Sequence, residues 1–157
     1  MNEQMNAFLS NYLMISVLVS WFGAQIVKVF TGMFKDKKFN IMTLFFSTGG
    51  MPSSHSAVVC ALATSCIILH GITSTYSAIT IVLAFIVMVD ASGVRYETGK
   101  QAEILNKMIK ELFDPENTPD EFNTKLKELV GHTPVQVVVG AIFGILCSVI
   151  LAIFMVW

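Results

Sequence analysis

Four stretches of this chain, at about residues 7–30, 53–71, 73–94 and 134–157, are long and apolar enough to cross a bilayer, and none has a charged residue at its centre. A lipid core needs roughly 20 residues of helix per crossing. Backbone groups inside it must be bonded within the segment itself. The reading is therefore an all-α integral membrane protein with about four transmembrane helices. Composition agrees: the chain is 54% hydrophobic and 13% charged, where a soluble domain usually carries about 25% charge. Its 157 residues leave room for a single membrane domain spanning 1–157. The net charge of −1 says little by itself, because the distribution of charge matters more than its sum; no nucleic-acid partner is expected. The first apolar run is preceded by Glu3 without Lys or Arg and is too long for a signal-peptide core, so it is expected to be retained as a span. Cys60, Cys66 and Cys147 fall inside apolar helices without CxxC spacing and read as small buried side chains.

Local signals set the helix ends. Pro52 and Pro134 are each expected in a first helical turn, where a missing N–H costs nothing, with the neighbouring Ser and Thr as caps. His70-Gly71-Ile72-Thr73-Ser74 reads as a tight hairpin between the second and third spans. Ala57, Ala61, Ala63, Gly140 and Gly144 would let helices approach closely. Residues 39–51 are apolar but too short to cross, which suggests a re-entrant or interfacial segment. The one polar region is about 96–131. Within 98–113, Ile104, Leu105, Met108 and Leu112 share a helical face, with Lys107, Lys110 and Glu111 on others. Asp114-Pro115 breaks that helix, and Thr118-Pro119-Asp120-Glu121 has the chemistry of a new helix start. The region reads as an amphipathic helical hairpin at the membrane surface; an ordinary soluble hairpin would look much the same. In the four-span arrangement Lys35, Lys37, Lys38, Arg95, Lys100, Lys107, Lys110, Lys125 and Lys127 share one side, with Lys28 near it, and the other side has no Lys or Arg. The positive-inside rule then puts that face in the cytoplasm and both termini outside, in a bacterial plasma membrane.

Chemistry concentrates on the same face. Gly49-Gly50-Met51-Pro52-Ser53-Ser54-His55 opens the second span, Gly131-His132-Thr133-Pro134 opens the fourth, and Asp90-Ala91-Ser92-Gly93-Val94-Arg95 closes the third. Ionisable groups at a membrane helix end are costly without a partner or a task, which marks His55 and His132. Two helix N-termini on one face would offer amides and positive dipole ends to an anion. Ser53 and Ser54 add hydroxyls, Arg95 a planar fork matched to phosphate, and Lys28, Lys35 and Lys100 positive charge. Lysines at a membrane surface also commonly meet anionic headgroups. Asp90 lies one turn before Arg95, as an ion-pair partner, a cap or a catalytic acid. Asp90, Glu97 and His132 would permit a metal, but no HExxH-like ligand pattern is present, and no metal or other cofactor is expected. The expected ligand is a phosphorylated lipid drawn from the bilayer.

Pro52-Ser53-Ser54-His55 resembles the Pro-Ser-Gly-His signature of type 2 phosphatidic acid phosphatases and vanadium haloperoxidases. His132-Thr-Pro-Val-Gln136 followed by Gly140 looks like the last motif of that superfamily, and Lys28 with Lys35 has the spacing of its first. With Asp-Ala-Ser-Gly-Val-Arg and Gly-Lys-Gln-Ala-Glu-Ile-Leu-Asn, the set is similar to the small divergent branch of the superfamily, over most of residues 20–145. The resemblance implies that His132 attacks phosphorus to form a phosphohistidine and His55 protonates the leaving alkoxide. It also implies that Ser53 and backbone amides hold the phosphoryl oxygens while Lys28 and Lys35 neutralise charge. This chain departs from the pattern in three places: Ser54 replaces glycine, Gln136 replaces the acid that orients the nucleophile, and Leu126 stands where an arginine is usual. Asp90 or Glu97 could supply the missing acid and Arg95 the missing arginine. Four spans are fewer than the superfamily's usual six helices, so a homodimer could complete the core. The expected function is a phosphatase acting on a lipid phosphomonoester, such as phosphatidylglycerophosphate or phosphatidic acid, at the cytoplasmic leaflet. The alternatives are a non-catalytic lipid- or anion-binding membrane protein and a polyprenyl (di)phosphate phosphatase; a transporter or channel subunit fits less well.

Overall fold

The structure, a computed structural model, describes residues 10–36, 51–112 and 132–157. Among the described residues every regular element is a helix: α1 (Tyr12–Asp36), α2 (Ser54–His70), α3 (Thr75–Ser92), α4 (Val94–Leu112) and α5 (Pro134–Met155). Three stretches are long and apolar enough to cross a membrane, namely Tyr12–Thr31, Thr75–Ile109 (which contains α3) and Pro134–Met155. The apolar α2 is shorter, at 17 residues. The expected segment at 39–51 and the second helix of the polar hairpin lie outside the described residues.

Helix α2 is the hub. It packs against α1, α3 and above all α5; α1 also touches α5, and α4 leans on α3. Lipid tails are as apolar as the side chains they would replace, so membrane helices associate by close packing and hydrogen bonds rather than by the hydrophobic effect. The sequence supplies that packing through small residues four apart. Helix α1 buries Tyr12, Ser16, Ser20, Ala24 and Lys28; α2 buries Ser53, Ala57, Ala61 and Ser65; α5 buries Gly140, Gly144, Ser148 and Ala152. A Cβ at Gly140 would collide with the backbone of Ser53, and one at Gly144 with the backbone of Ala57. Glycine is required at both positions because two backbones touch. Large side chains point outward instead, as on α3, where Ile79, Val82, Phe85, Ile86 and Val89 are exposed.

At one end of the bundle three helices exchange hydroxyl hydrogen bonds. Tyr12 Oη lies 2.8 Å from Ser148 Oγ and donates to the Ser148 carbonyl at 2.9 Å. Ser65 Oγ lies 2.9 Å from Ser148 Oγ and 2.9 Å from Ser16 Oγ. The α2–α3 turn closes the same end. There Gly71 adopts φ +80°, a left-handed conformation that suits glycine, and its N–H caps α2 on Ile67.

Two local expectations change. Ser53 is the N-cap of α2, so Pro52 precedes the helix instead of standing in its first turn. The serine hydroxyl accepts from Ser56 N–H, a bond that proline cannot replace, and this fixes the boundary one residue later. The polar helix starts at Val94 rather than near 98, a single residue after α3 ends. Its Ile104, Leu105 and Met108 are exposed.

Candidate functional site

The N-termini of α2 and α5 lie side by side at the other end of the bundle. Thr133 caps α5 with its hydroxyl on Gln136 N–H (3.4 Å), while the Gln136 amide oxygen accepts from Thr133 N–H (3.0 Å), a complete capping box with Pro134 in the first turn. The Gln136 carbonyl also accepts from Ser53 N–H at 3.0 Å, which joins the two helix starts directly. His132 N–H donates to the Ala91 carbonyl at 3.2 Å and draws in the end of α3, where Asp90 is half-buried. Thr31 of α1 donates to the Met51 carbonyl at 2.8 Å and fixes the approach to α2.

These bonds gather the chemistry-bearing side chains around the first turn of α2. The rings of His55 and His132 face each other edge to face, with centroids 6.2 Å apart. His132 is 4% exposed, whereas His55 is open to the surroundings. One residue back, Ser54 Oγ accepts from Lys28 Nζ at 3.3 Å, and both side chains are buried. The site thus has two lobes, a histidine pair and a lysine–serine pair, joined through the adjacent residues Ser54 and His55. Two helix N-termini aim their dipoles at it, and their first-turn amides have no helical carbonyl to bond.

The remaining candidates are placed less uniformly. Ser53 is fully buried, and its hydroxyl accepts from Ser56 Oγ at 3.0 Å and Ser56 N–H at 3.4 Å. The hydroxyl beside the lysine therefore belongs to Ser54. Gln136 is held in the capping box, so its amide oxygen serves the α5 backbone. Lys100 does not join the cluster: it pairs with Glu97 at 3.3 Å and lies 4.3 Å above the Tyr96 ring, half-exposed on α4. Its hydrogen bond to Glu97 raises the ammonium's pKa. Lys35 lies in the last turn of α1 and Arg95 in the first turn of α4; their side chains lie outside the described residues.

Sequence reasoning passed over Gln25. It is 5% exposed on α1, one turn before Lys28, and its amide oxygen is buried without a hydrogen-bond partner. The signal was present, since a glutamine inside an apolar stretch is as conspicuous as the lysine that follows it.

Bundle and site together define a helical integral membrane protein with an anion-compatible, histidine-paired centre at one end. The Divergent PAP2 family model matches residues 9–147, and the chain belongs to that family. It is also 40% identical over 154 residues to a Bacillus subtilis (strain 168) protein described as "Uncharacterized membrane protein YuiD", covering 93% of this chain and 97% of that one. No solved structure matches.

Proposed function

We propose that the protein is a lipid-phosphate phosphatase working through a phosphohistidine. The observation that carries this reading is the facing of His55 and His132 across the paired helix starts, with the Lys28 ammonium beside Ser54. A nitrogen of His132 attacks phosphorus, the bond to the lipid oxygen breaks, and protonated His55 gives its proton to that oxygen. Water then attacks the phosphohistidine with His55 as base, releasing inorganic phosphate. Such a transition state asks mainly for positioning and fixed positive charge, which Lys28 and the helix ends supply. His55 is exposed where the phosphoryl group would enter, while His132 is buried. Asp90, next in sequence to the carbonyl that holds His132, supports the imidazolium charge in place of Gln136.

The substrate of this reading is a phosphomonoester lipid such as phosphatidylglycerophosphate or phosphatidic acid, met at the cytoplasmic leaflet, with both termini outside. A panel of lipid phosphates assayed with wild type, His55→Ala and His132→Ala in detergent tests it; release undiminished in His132→Ala would sink it. The rate should be bell-shaped in pH, falling at low pH as His132 protonates and at high pH as His55 loses its proton. A flat profile from about pH 5 to 9 would remove the histidine pair from the mechanism. Labelling of positions 55 and 132 from opposite sides of sealed vesicles tests the sidedness. It also separates this reading from a polyprenyl diphosphate phosphatase facing outward. The occupied amide of Gln136 favours one second reading, a lipid-phosphate binder without turnover. In that case ligands would raise thermal stability while no phosphoenzyme could be trapped.

A further inference from the structure

We infer that Gln25 is a specificity residue that accepts a hydrogen bond from a free hydroxyl close to the phosphate of the bound lipid. This inference rests on the lipid-phosphate reading above. Among the described residues the buried side-chain oxygens lacking a hydrogen-bond partner belong to Ser20 and Gln25, and Ser20 has the Cys147 thiol beside it. An amide oxygen shut away from water with nothing to accept is costly, and natural structures rarely keep one without a ligand or water to meet it. Gln25 is 5% exposed and three residues before Lys28, so the two side chains are neighbours on the helix. Because α1 runs toward the site end, Gln25 lies about 4.5 Å deeper than Lys28 along the axis. A phosphate held at Lys28 and Ser54 would extend its lipid body in that direction. Gln25 then meets the atoms one to three bonds beyond the phosphate ester, and its oxygen requires a donor there. A hydroxyl on the carbon next to the phosphate-bearing carbon fits, whereas an ester or ether oxygen offers no proton. The site is thus matched to lipid phosphates with a free hydroxyl near the phosphate, which of the two substrates named above favours phosphatidylglycerophosphate over the fully acylated phosphatidic acid.

The test compares 1-acyl lysophosphatidic acid with its 2-O-methyl ether, which differ only in that hydroxyl, on full-length protein in detergent. Wild type should prefer the hydroxyl form by about tenfold or more in kcat/KM, since a site built for a hydroxyl rejects an analogue lacking it. Gln25→Met should bring the ratio to within about twofold of one, with Gln25→Leu as a second variant. Both should melt at or above the wild-type temperature, because the stranded amide is gone. A wild-type ratio near one, or a ratio unchanged by the substitutions, overturns the inference and assigns the oxygen to water. If wild type hydrolyses neither lipid, the same pair is compared by thermal shift, and the phosphatase reading is decided by the lipid panel above. A larger shift with the hydroxyl lipid in wild type but not in Gln25→Met upholds the role of Gln25, and equal shifts in wild type overturn it.

Discussion

The two ends of this bundle use similar residues to opposite effect. At the far end, Tyr12, Ser16, Ser65 and Ser148 satisfy one another across three helices within 2.8 to 2.9 Å. At the site end, polar groups also converge from several helices, but charge and imidazole replace hydroxyl and the Gln25 oxygen is left without a bond. A closed network rigidifies; an open one leaves a group for water or a ligand to meet. The far end therefore reads as a clasp and the near end as a receptor.

Substitutions can break or sharpen that contrast. His132→Ala should lower phosphate release by about 10⁴-fold or more while leaving the thermal midpoint near wild type, because a nucleophile has no substitute. Full turnover in that variant would erase the distinction between the ends. Lys28→Met should cost roughly 10- to 100-fold in kcat/KM, read in initial rates, as a buried cation facing phosphate is lost. Gly144→Val should destabilise the bundle by about 1–3 kcal/mol in a denaturation assay, since its side chain would meet the Ala57 backbone. Tyr12→Phe should cost only about 1 kcal/mol of stability and leave kcat and KM alone, in line with modest hydrogen-bond energies between membrane helices. An activity change there would couple the clasp to the site. The smallest effect belongs to the exposed pair of Lys107 and Glu103 on α4, 2.7 Å apart. Lys107 holds the Glu103 carboxyl below its ordinary pKa. Whatever the pair contributes is present above the carboxylate's unfolded pKa and fades as pH falls through the lowered one. Lys107→Ala should therefore leave acid and neutral melting curves nearly superimposable on wild type.

Much of this was legible in the residues. Apolar length gave the membrane and the helices, and Ser53 and Thr133 announced the two caps. The pairing of glycine with small residues at Gly140 and Gly144 foretold a tight contact, though not that its partner would be the backbone of α2. Periodicity assigns a face to a side chain but not the neighbour that fills it. For that reason spacing did not show that the Ser53 hydroxyl accepts from Ser56, or that Ser54 stands beside Lys28. Gln136 could be read as a substitute for an acid by position alone. Its cap bond to Thr133 was nonetheless legible, because Thr133-Pro-Val-Gln136 has the spacing of a capping box. Lys100 shared the basic face with Lys28, yet the helix after Gly93 carries it to Glu97 instead of the histidines.

The brevity of α2 has a physical consequence for the membrane around it. Seventeen residues rise only about 25 Å, less than the roughly 30 Å of a typical hydrocarbon slab. Hydrophobic mismatch of this kind is relieved by local thinning, so the leaflet should dimple where α2 begins. A dimple there brings headgroups down toward His55, and reconstitution into thicker bilayers should starve the protein of them.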